Sequence, residues 1–128
     1  MSDTLTILTF LGFGEAAQAF AGGLRQSGLG LSLRAYDIKF RGPETAAITR
    51  TCLEHDVEAS ESAPSACSGS RAVFSLVTAE QAETAALDVA RGPLQGALYF
   101  DCNSCAPETK REVSRIIEGA GAVMSMSR

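Results

Sequence analysis

One stretch near the N-terminus, TILTFLGFGEAAQAF at residues 6–20, constrains the fold more than any other part of the chain. An apolar run of strand length ends there in Gly-x-Gly-x-x-Ala, and apolar side chains then recur at helical spacing. This pattern predicts a strand, a tight turn and a helix. Gly12 can adopt a backbone conformation closed to side chains, and Gly14 lets a pyrophosphate approach the main chain. We therefore expect the phosphates of a dinucleotide at the helix N-terminus, where the helix dipole favours negative charge.

A carboxylate follows at the end of the next predicted strand, which spans residues 31–38. Asp37 stands 23 positions after Gly14. At this place an acidic side chain accepts hydrogen bonds from the adenosine ribose hydroxyls and repels a 2′-phosphate. The sequence therefore predicts NAD as the cofactor in preference to NADP. Lys39 and Arg41 follow and could accommodate a phosphate, although they also fit a solvated loop.

Strand and helix patterns alternate along the whole chain, without repeats or a low-complexity linker. Predicted strands lie at residues 4–11, 31–38, 57–59, 71–77, 97–102 and 122–126. Predicted helices lie at residues 15–26, 44–54, 79–91 and 107–118, and residues 60–70 can hold one helical turn. This alternation is typical of an α/β fold with right-handed crossovers. We predict a Rossmann-type doubly wound parallel sheet in three layers, as one domain over residues 1–128.

Charge and composition exclude several classes of partner. The chain carries a formal net charge of -4 and no basic stripe, which argues against binding to nucleic acid or to an anionic membrane surface. No apolar stretch is long enough to span a bilayer, and residues 1–3 lack the features of a signal peptide. We therefore expect a cytoplasmic protein whose four cysteines are thiols. His55 is the only histidine, and no metal site is predicted.

The ends of the later strands are the remaining places for a site, because ligands of an open parallel sheet bind at the carboxyl ends of its strands. Residues 76–78 and 101–107 occupy two such ends. Thr78 and Gln81 also have the spacing of a capping box, so Thr78 could instead cap the helix that follows.

Three segments together resemble a known family: GFG at residues 12–14, FSLVT at 74–78 and DCNSCAPET at 101–109. They are similar to the NAD(P)-binding domain of the β-hydroxyacid dehydrogenases, which include 6-phosphogluconate dehydrogenase and 3-hydroxyisobutyrate dehydrogenase. The resemblance spans nearly the whole chain, and Asp-x-x-Ser-x-x-Pro is its more specific part. It implies an oxidoreductase that transfers hydride between NAD(P) and a small β-hydroxy acid or sugar acid.

The loop, the strand ends and the resemblance together define a predicted site. The predicted cofactor-binding residues are Gly12, Phe13, Gly14, Glu15, Ala16, Asp37, Leu76, Val77, Thr78 and Asn103. The first five would hold the pyrophosphate, and the resemblance places residues 76–78 beside the nicotinamide ribose. It also implies that Ser104 holds the carboxylate or hydroxyl of a small acidic substrate. Asn103 could instead be a turn residue, and Ser104 could satisfy amides of the following helix.

The chain departs from this family in lacking its catalytic lysine and its all-helical, dimer-forming domain. The two lysines are Lys39 and Lys110, neither at the matching position, and Lys110 is expected to be exposed in the first turn of a helix. We predict no catalytic residue in this chain, a domain truncated before its last strands, and cofactor binding with little or no turnover. An exposed sheet edge and a bare interdomain face would favour a homodimer.

Two other functional classes fit parts of the sequence. Cys102 and Cys105 form Cys-x-x-Cys ahead of a helix, a setting that lowers thiol pKa values and supports disulfide exchange in a redox protein. The second class is a non-catalytic module that senses NAD and pairs with another subunit. A redox protein would lose activity on Cys102→Ser, whereas dinucleotide binding would tolerate that change.

Overall fold

A computed structural model describes residues 6–126 and shows strands and helices in alternation. The strands are β1 (Thr6–Leu11), β2 (Leu31–Tyr36), β3 (Glu58–Ala59), β4 (Ala72–Ser75), β5 (Leu98–Asp101) and β6 (Val123–Met126). The α-helices are α1 (Glu15–Gln26), α2 (Thr45–Glu54), α3 (Ala63–Cys67), α4 (Ala82–Val89) and α5 (Pro107–Gly119). Short 3₁₀ helices span Ile38–Arg41 and Ala79–Gln81.

The six strands form one parallel sheet in the order β3-β2-β1-β4-β5-β6. The chain builds outward from β1 through β2 to β3, then crosses back to place β4 on the other side of β1. The strand order therefore reverses between β1 and β4, and the carboxyl ends of these two strands flank a crevice suited to a ligand. The predicted α/β class and doubly wound parallel sheet are confirmed.

Helices cover both faces of this sheet, which gives three layers and two hydrophobic cores. Successive residues of β1 point to opposite faces, as the pleat of a strand requires. Phe10 packs in one core with side chains of α1 and α2. Leu11 packs in the other core with side chains of α3, α4 and α5. Burial on both faces explains why β1 is apolar throughout instead of alternating.

The structure corrects two local predictions about helix starts. The helix predicted over residues 79–91 is a 3₁₀ turn followed by α4, and the Thr78 side chain makes no capping hydrogen bond. The predicted capping box at Thr78 is therefore wrong. A capping box is present instead at α3, where Ser62 and Ser65 exchange side-chain to backbone hydrogen bonds of 3.2 and 3.3 Å.

The bounds of the other predicted elements agree with the structure to within two residues wherever both ends are described, and α1 coincides with its predicted range. Residues 4 and 5 of the first predicted strand lie outside the described part of the chain. Within residues 6–126, no helix is long and apolar enough to cross a membrane.

Candidate functional site

The glycine loop joins β1 to α1 at the centre of the sheet, beside the end of β4. Gly12 has a φ of +86°, and its amide donates a 2.8 Å hydrogen bond to the carbonyl of Tyr36 at the end of β2. A Cβ at Gly12 would lie 2.5 Å from the carbonyl oxygen of Leu76. Only glycine fits this place, because both the backbone angle and the close contact exclude a side chain.

Gly14 serves a different purpose, since its backbone is extended and nothing lies within 4 Å of where a Cβ would be. It is the N-cap residue of α1 and carries no capping side chain. The first amides of a helix have no acceptor within the helix. The open space at Gly14 therefore leaves these amides accessible to an anionic group of a ligand.

The carboxylate of Asp37 is fixed between two backbone amides. Its Oδ2 accepts a 2.8 Å hydrogen bond from the amide of Phe13 in the glycine loop, and its Oδ1 accepts one of 3.0 Å from Lys39. The end of β2 is thereby tied to the loop after β1. Phe13 itself is fully buried, so its contribution to the site is the backbone amide.

A cleft of about 390 Å³ unites most of the predicted residues. The predicted residues that line it are Gly12, Gly14, Glu15, Ala16, Asp37, Leu76, Val77 and Thr78. Its volume falls in the range of about 300–1,000 Å³ that is typical of ligand sites. Three independent loops, one after each of β1, β2 and β4, thus converge on one space.

Residues of the 3₁₀ turns and of α3 and α4 also line this cleft and were not predicted from the sequence. They include Ile38, Ala63, Gln81, Thr84, Ala85 and Asp88, whereas Lys39, which also lines the cleft, was named from the sequence as able to accommodate a phosphate. The residues at 81, 84 and 88 recur at helical spacing beside the buried stripe of α4. That polar edge of an otherwise apolar helix is the signal that could have identified them.

Asn103 and Ser104 lie outside the lining of the cleft. Asn103 is buried, and its side-chain oxygen accepts a 2.8 Å hydrogen bond from the amide of Val77. Its side-chain nitrogen donates to the hydroxyl of Ser75 at 3.0 Å and to Asp101 at 2.9 Å. Asn103 therefore fixes the backbone of Val77, which lines the cleft, without lining the cleft itself. Ser104 is exposed, on the loop between β5 and α5.

Lys110 is not the exposed residue that the sequence suggested. Only 14% of its side chain is accessible, and its ammonium lies 3.4 Å from Oδ1 of Asp101 and 3.1 Å from the carbonyl oxygen of Asp101. Asp101 is fully buried at the end of β5. The prediction of an exposed lysine is wrong because this buried carboxylate draws the ammonium inward.

Three of the four cysteines lie where their surroundings raise the pKa of the thiol. Desolvation by partial burial and the neighbouring Asp101 carboxylate raise the pKa of the Cys102 thiol. A thiol that acts in disulfide exchange needs the opposite shift. Cys52 and Cys67 are buried, which raises their pKa values to about 11 and about 12. Within residues 6–126, no group of three or more acidic, cysteine or histidine side chains could hold a metal ion.

The geometry fits a dinucleotide, since the cleft has an open anion position at Gly14, a fixed carboxylate at Asp37 and a wall at Val77. A protein-family sequence model matches residues 7–104, and its description is NADP oxidoreductase, coenzyme F420-dependent. A search of curated proteins finds no match to the chain.

Solved structures share this fold. A conserved hypothetical protein from Sinorhizobium meliloti 1021 is 30% identical, with a TM-score of 0.83 over 97% of this chain and 41% of that one. A 3-hydroxyisobutyrate dehydrogenase from Mycobacterium tuberculosis, solved with L-serine, is 23% identical, with a TM-score of 0.80 over 96% and 40%. A reductive aminase from Aspergillus terreus, solved with NADPH and ethyl-5-oxohexanoate, is 21% identical, with a TM-score of 0.74 over 96% and 40%.

This chain spans about 40% of the length of each of these structures. The family match covers most of the sequence and includes the glycine loop, Asp37 and Val77. It agrees with the predicted resemblance to the NAD(P)-binding domain of hydroxyacid dehydrogenases. The chain therefore belongs to the family described as NADP oxidoreductase, coenzyme F420-dependent, as a nucleotide-binding domain of the NAD(P) oxidoreductase type.

Proposed function

We propose that residues 1–128 form the cofactor domain of a dehydrogenase, with the pyrophosphate on residues 12–16 and the adenosine ribose on Asp37. One observation carries this proposal: the Asp37 carboxylate accepts a hydrogen bond from the amide of Phe13. The side chain proposed to bind the ribose is therefore fixed relative to the glycine loop proposed to bind the pyrophosphate. Preorganisation of this kind lowers the ordering cost of binding. A bound nicotinamide would supply the hydride donor or acceptor.

The nicotinamide end of the cofactor is proposed to lie along residues 76–78, with Asn103 behind them and Ser104 beside the substrate. The wall at Val77 is fixed by its hydrogen bond to Asn103. Ser104 is exposed near this end of the sheet, where a hydroxyl could meet a substrate carboxylate. The substrate class we propose, a small β-hydroxy acid or sugar acid, rests on the resemblance of residues 101–109.

Turnover is proposed to need groups outside residues 1–128. Neither lysine of the chain stands at the position that the resemblance gives to the catalytic lysine, and Lys110 is paired with the buried Asp101. A homodimer is part of the same proposal, because β6 pairs only with β5 in the described sheet and Val123 on it is 52% exposed. An unpaired edge strand of this kind favours association.

The dinucleotide proposal is tested by calorimetric titration of the chain with NAD, NADH, NADP and NADPH, in parallel with Gly14→Val. The backbone of Gly14 accepts a side chain and the space around it is empty. The variant should therefore fold, while its side chain fills the place of the pyrophosphate. We expect the dissociation constant to rise by more than about tenfold, since displaced phosphate contacts are charge-assisted hydrogen bonds.

Gly23→Val is the matched control for this experiment, because Gly23 also lies on α1 with nothing within 4 Å of its Cβ position. It should bind the dinucleotide as the unmodified chain does. A folded chain that binds none of the four cofactors, or a Gly14→Val variant that binds as well as Gly23→Val, would contradict the proposal.

We further propose that the chain prefers NAD to NADP, because a 2′-phosphate would lie against the fixed carboxylate of Asp37. The description of the family names NADP, and the reductive aminase was solved with NADPH, which favours the opposite preference. Lys39 lines the cleft, so it is the cation able to favour a 2′-phosphate. The preference therefore depends on whether Asp37 or Lys39 dominates the ribose position.

Asp37→Asn separates these two possibilities. Asparagine keeps one oxygen to accept the hydrogen bond from Phe13, so the loop stays tied to β2, while the negative charge and the hydrogen bond from the Lys39 amide are lost. We expect the ratio of NADP affinity to NAD affinity to rise by about tenfold, since one charged interaction is worth about 1.4 kcal/mol. Titration of the unmodified chain and of Asp37→Asn with both cofactors measures this ratio. An unchanged ratio would show that Asp37 does not set the preference.

A further inference from the structure

We propose that Lys110 is a positioning residue that sets the orientation of the Leu76–Val77 peptide, and thereby the wall of the cleft against Gly12. The consequence for cofactor binding rests on the function proposed above. Lys110 lies on α5, outside the cleft, and acts through Asp101 and Asn103.

The first link joins α5 to the end of β5. Lysine in the first turns of a helix opposes the helix dipole, and its burial costs solvation. Lys110 nevertheless occupies the fourth position of α5 with its side chain largely buried. Its ammonium contacts both the carbonyl and Oδ1 of Asp101, a carboxylate with no other cation within salt-bridge distance in the described structure. The placement of Lys110 is thus explained by Asp101 and not by local helix preference.

The second link runs from Asp101 to Asn103. Oδ1 of Asp101 accepts hydrogen bonds from the backbone amide and the side-chain nitrogen of Asn103, at 3.0 and 2.9 Å. These bonds orient the Asn103 amide so that its oxygen faces Val77. Oδ2 of Asp101 has no hydrogen-bond partner among the described residues, so the carboxylate is held through Oδ1 alone.

The third link is the Leu76–Val77 peptide, which contacts Asn103 through its N–H group and Gly12 through its C=O group. The amide of Val77 donates to Asn103 at 2.8 Å, and the carbonyl of Leu76 in the same peptide faces Gly12. A planar trans peptide directs its N–H and C=O in opposite directions. Turning the amide away from Asn103 must therefore move the carbonyl that packs on the glycine loop. The line of contacts from Lys110 to Gly12 is continuous.

The test uses Lys110→Met, which keeps the apolar stem and removes the charge, with Arg115→Met as the control on the same helix. Among residues 6–126, Arg115 forms its salt bridge with Glu112 on the surface. In the free chain, we expect Lys110→Met to shift the NMR amide resonances of Val77 and Gly12 and to speed hydrogen exchange at Val77. Dissociation constants for NADH should rise by about tenfold, as for loss of one charge-assisted hydrogen-bond network. Arg115→Met should change neither readout.

Thermal unfolding of each variant separates positioning from simple loss of stability. If Lys110→Met does not fold, Lys110→Gln replaces it, because glutamine retains a hydrogen-bond donor. For Lys110→Gln we expect smaller changes in the resonances and in the dissociation constant, in the same direction. A folded variant with unchanged Val77 and Gly12 resonances, or with shifted resonances and unchanged NADH binding, would overturn the inference. An unmodified chain that binds no dinucleotide would instead overturn the proposed function, while the resonances still decide whether Lys110 orients the peptide.

Discussion

Substituting Gly12 by alanine is expected to lower the free energy of unfolding by about 3 kcal/mol. Two costs combine at this position. An L-residue at a φ of +86° is strained by about 1–2 kcal/mol. The new Cβ would also lie 2.5 Å from the Leu76 carbonyl oxygen, a backbone atom of a peptide that is held on its other side by the hydrogen bond from Val77 to Asn103. Urea unfolding followed by circular dichroism measures the change.

Gly28→Ala is the matched comparison for this experiment. Gly28 has a φ of +78° but no heavy atom within 4 Å of its Cβ position, so the substitution carries only the backbone strain. The difference between the two variants isolates the contacts of the glycine loop with Leu76 and Val77. If Gly12→Ala is no less stable than Gly28→Ala, the loop and the end of β4 are not in the close contact that the site requires.

The start of the site could be predicted because its signals are local. The apolar run of β1, the glycines and the apolar stripe of α1 lie within about 20 residues, and each feature has a direct conformational meaning. Asp37 was predictable for a related reason. Adjacent parallel strands end at the same edge of a sheet, so the residue after β2 must lie near the loop after β1.

The contacts of Asn103 and Lys110 could not be predicted, because they join residues whose packing depends on distant parts of the sequence. Asn103 bonds to Val77 across 26 residues, and nothing in either local segment encodes that contact. Lys110 was expected in solvent because lysines usually are. The burial of Asp101 beneath α5 reverses that expectation, and only the packed fold shows it.

The start of α4 was mispredicted for a third reason. Thr78 and Gln81 have the spacing of a capping box, but the intervening turn is 3₁₀, and its geometry leaves the Thr78 hydroxyl without a capping bond. Thr78 and Gln81 both line the cleft instead. Polar residues at a strand end that fail to cap a helix are thus free to contact a ligand, which distinguishes this helix start from the capped start of α3.

Removing the Asp101 carboxylate is expected to be the most destabilising side-chain change near the site. Asp101→Ala leaves the Lys110 ammonium largely buried without its counter-charge, with the backbone carbonyl of residue 101 still accepting its hydrogen bond, and frees the Asn103 side chain from Oδ1. Loss of one partner of a buried ion pair costs about 3–5 kcal/mol. Urea unfolding measures this loss, and Glu112→Ala, which breaks the exposed pair with Arg115, should change stability little.

A double-mutant cycle shows whether the loss in free energy of unfolding comes from the broken ion pair or from the cavity left by the Asp101 side chain. Adding Lys110→Met to Asp101→Ala removes the stranded charge, so the double variant should be less destabilised than the sum of the single variants by about 1–3 kcal/mol. Additive effects would mean that Asp101 stabilises the fold without Lys110. Coupled effects would show that α5 and β5 are held together by this pair, which is the first of the contacts proposed to orient the peptide at Val77.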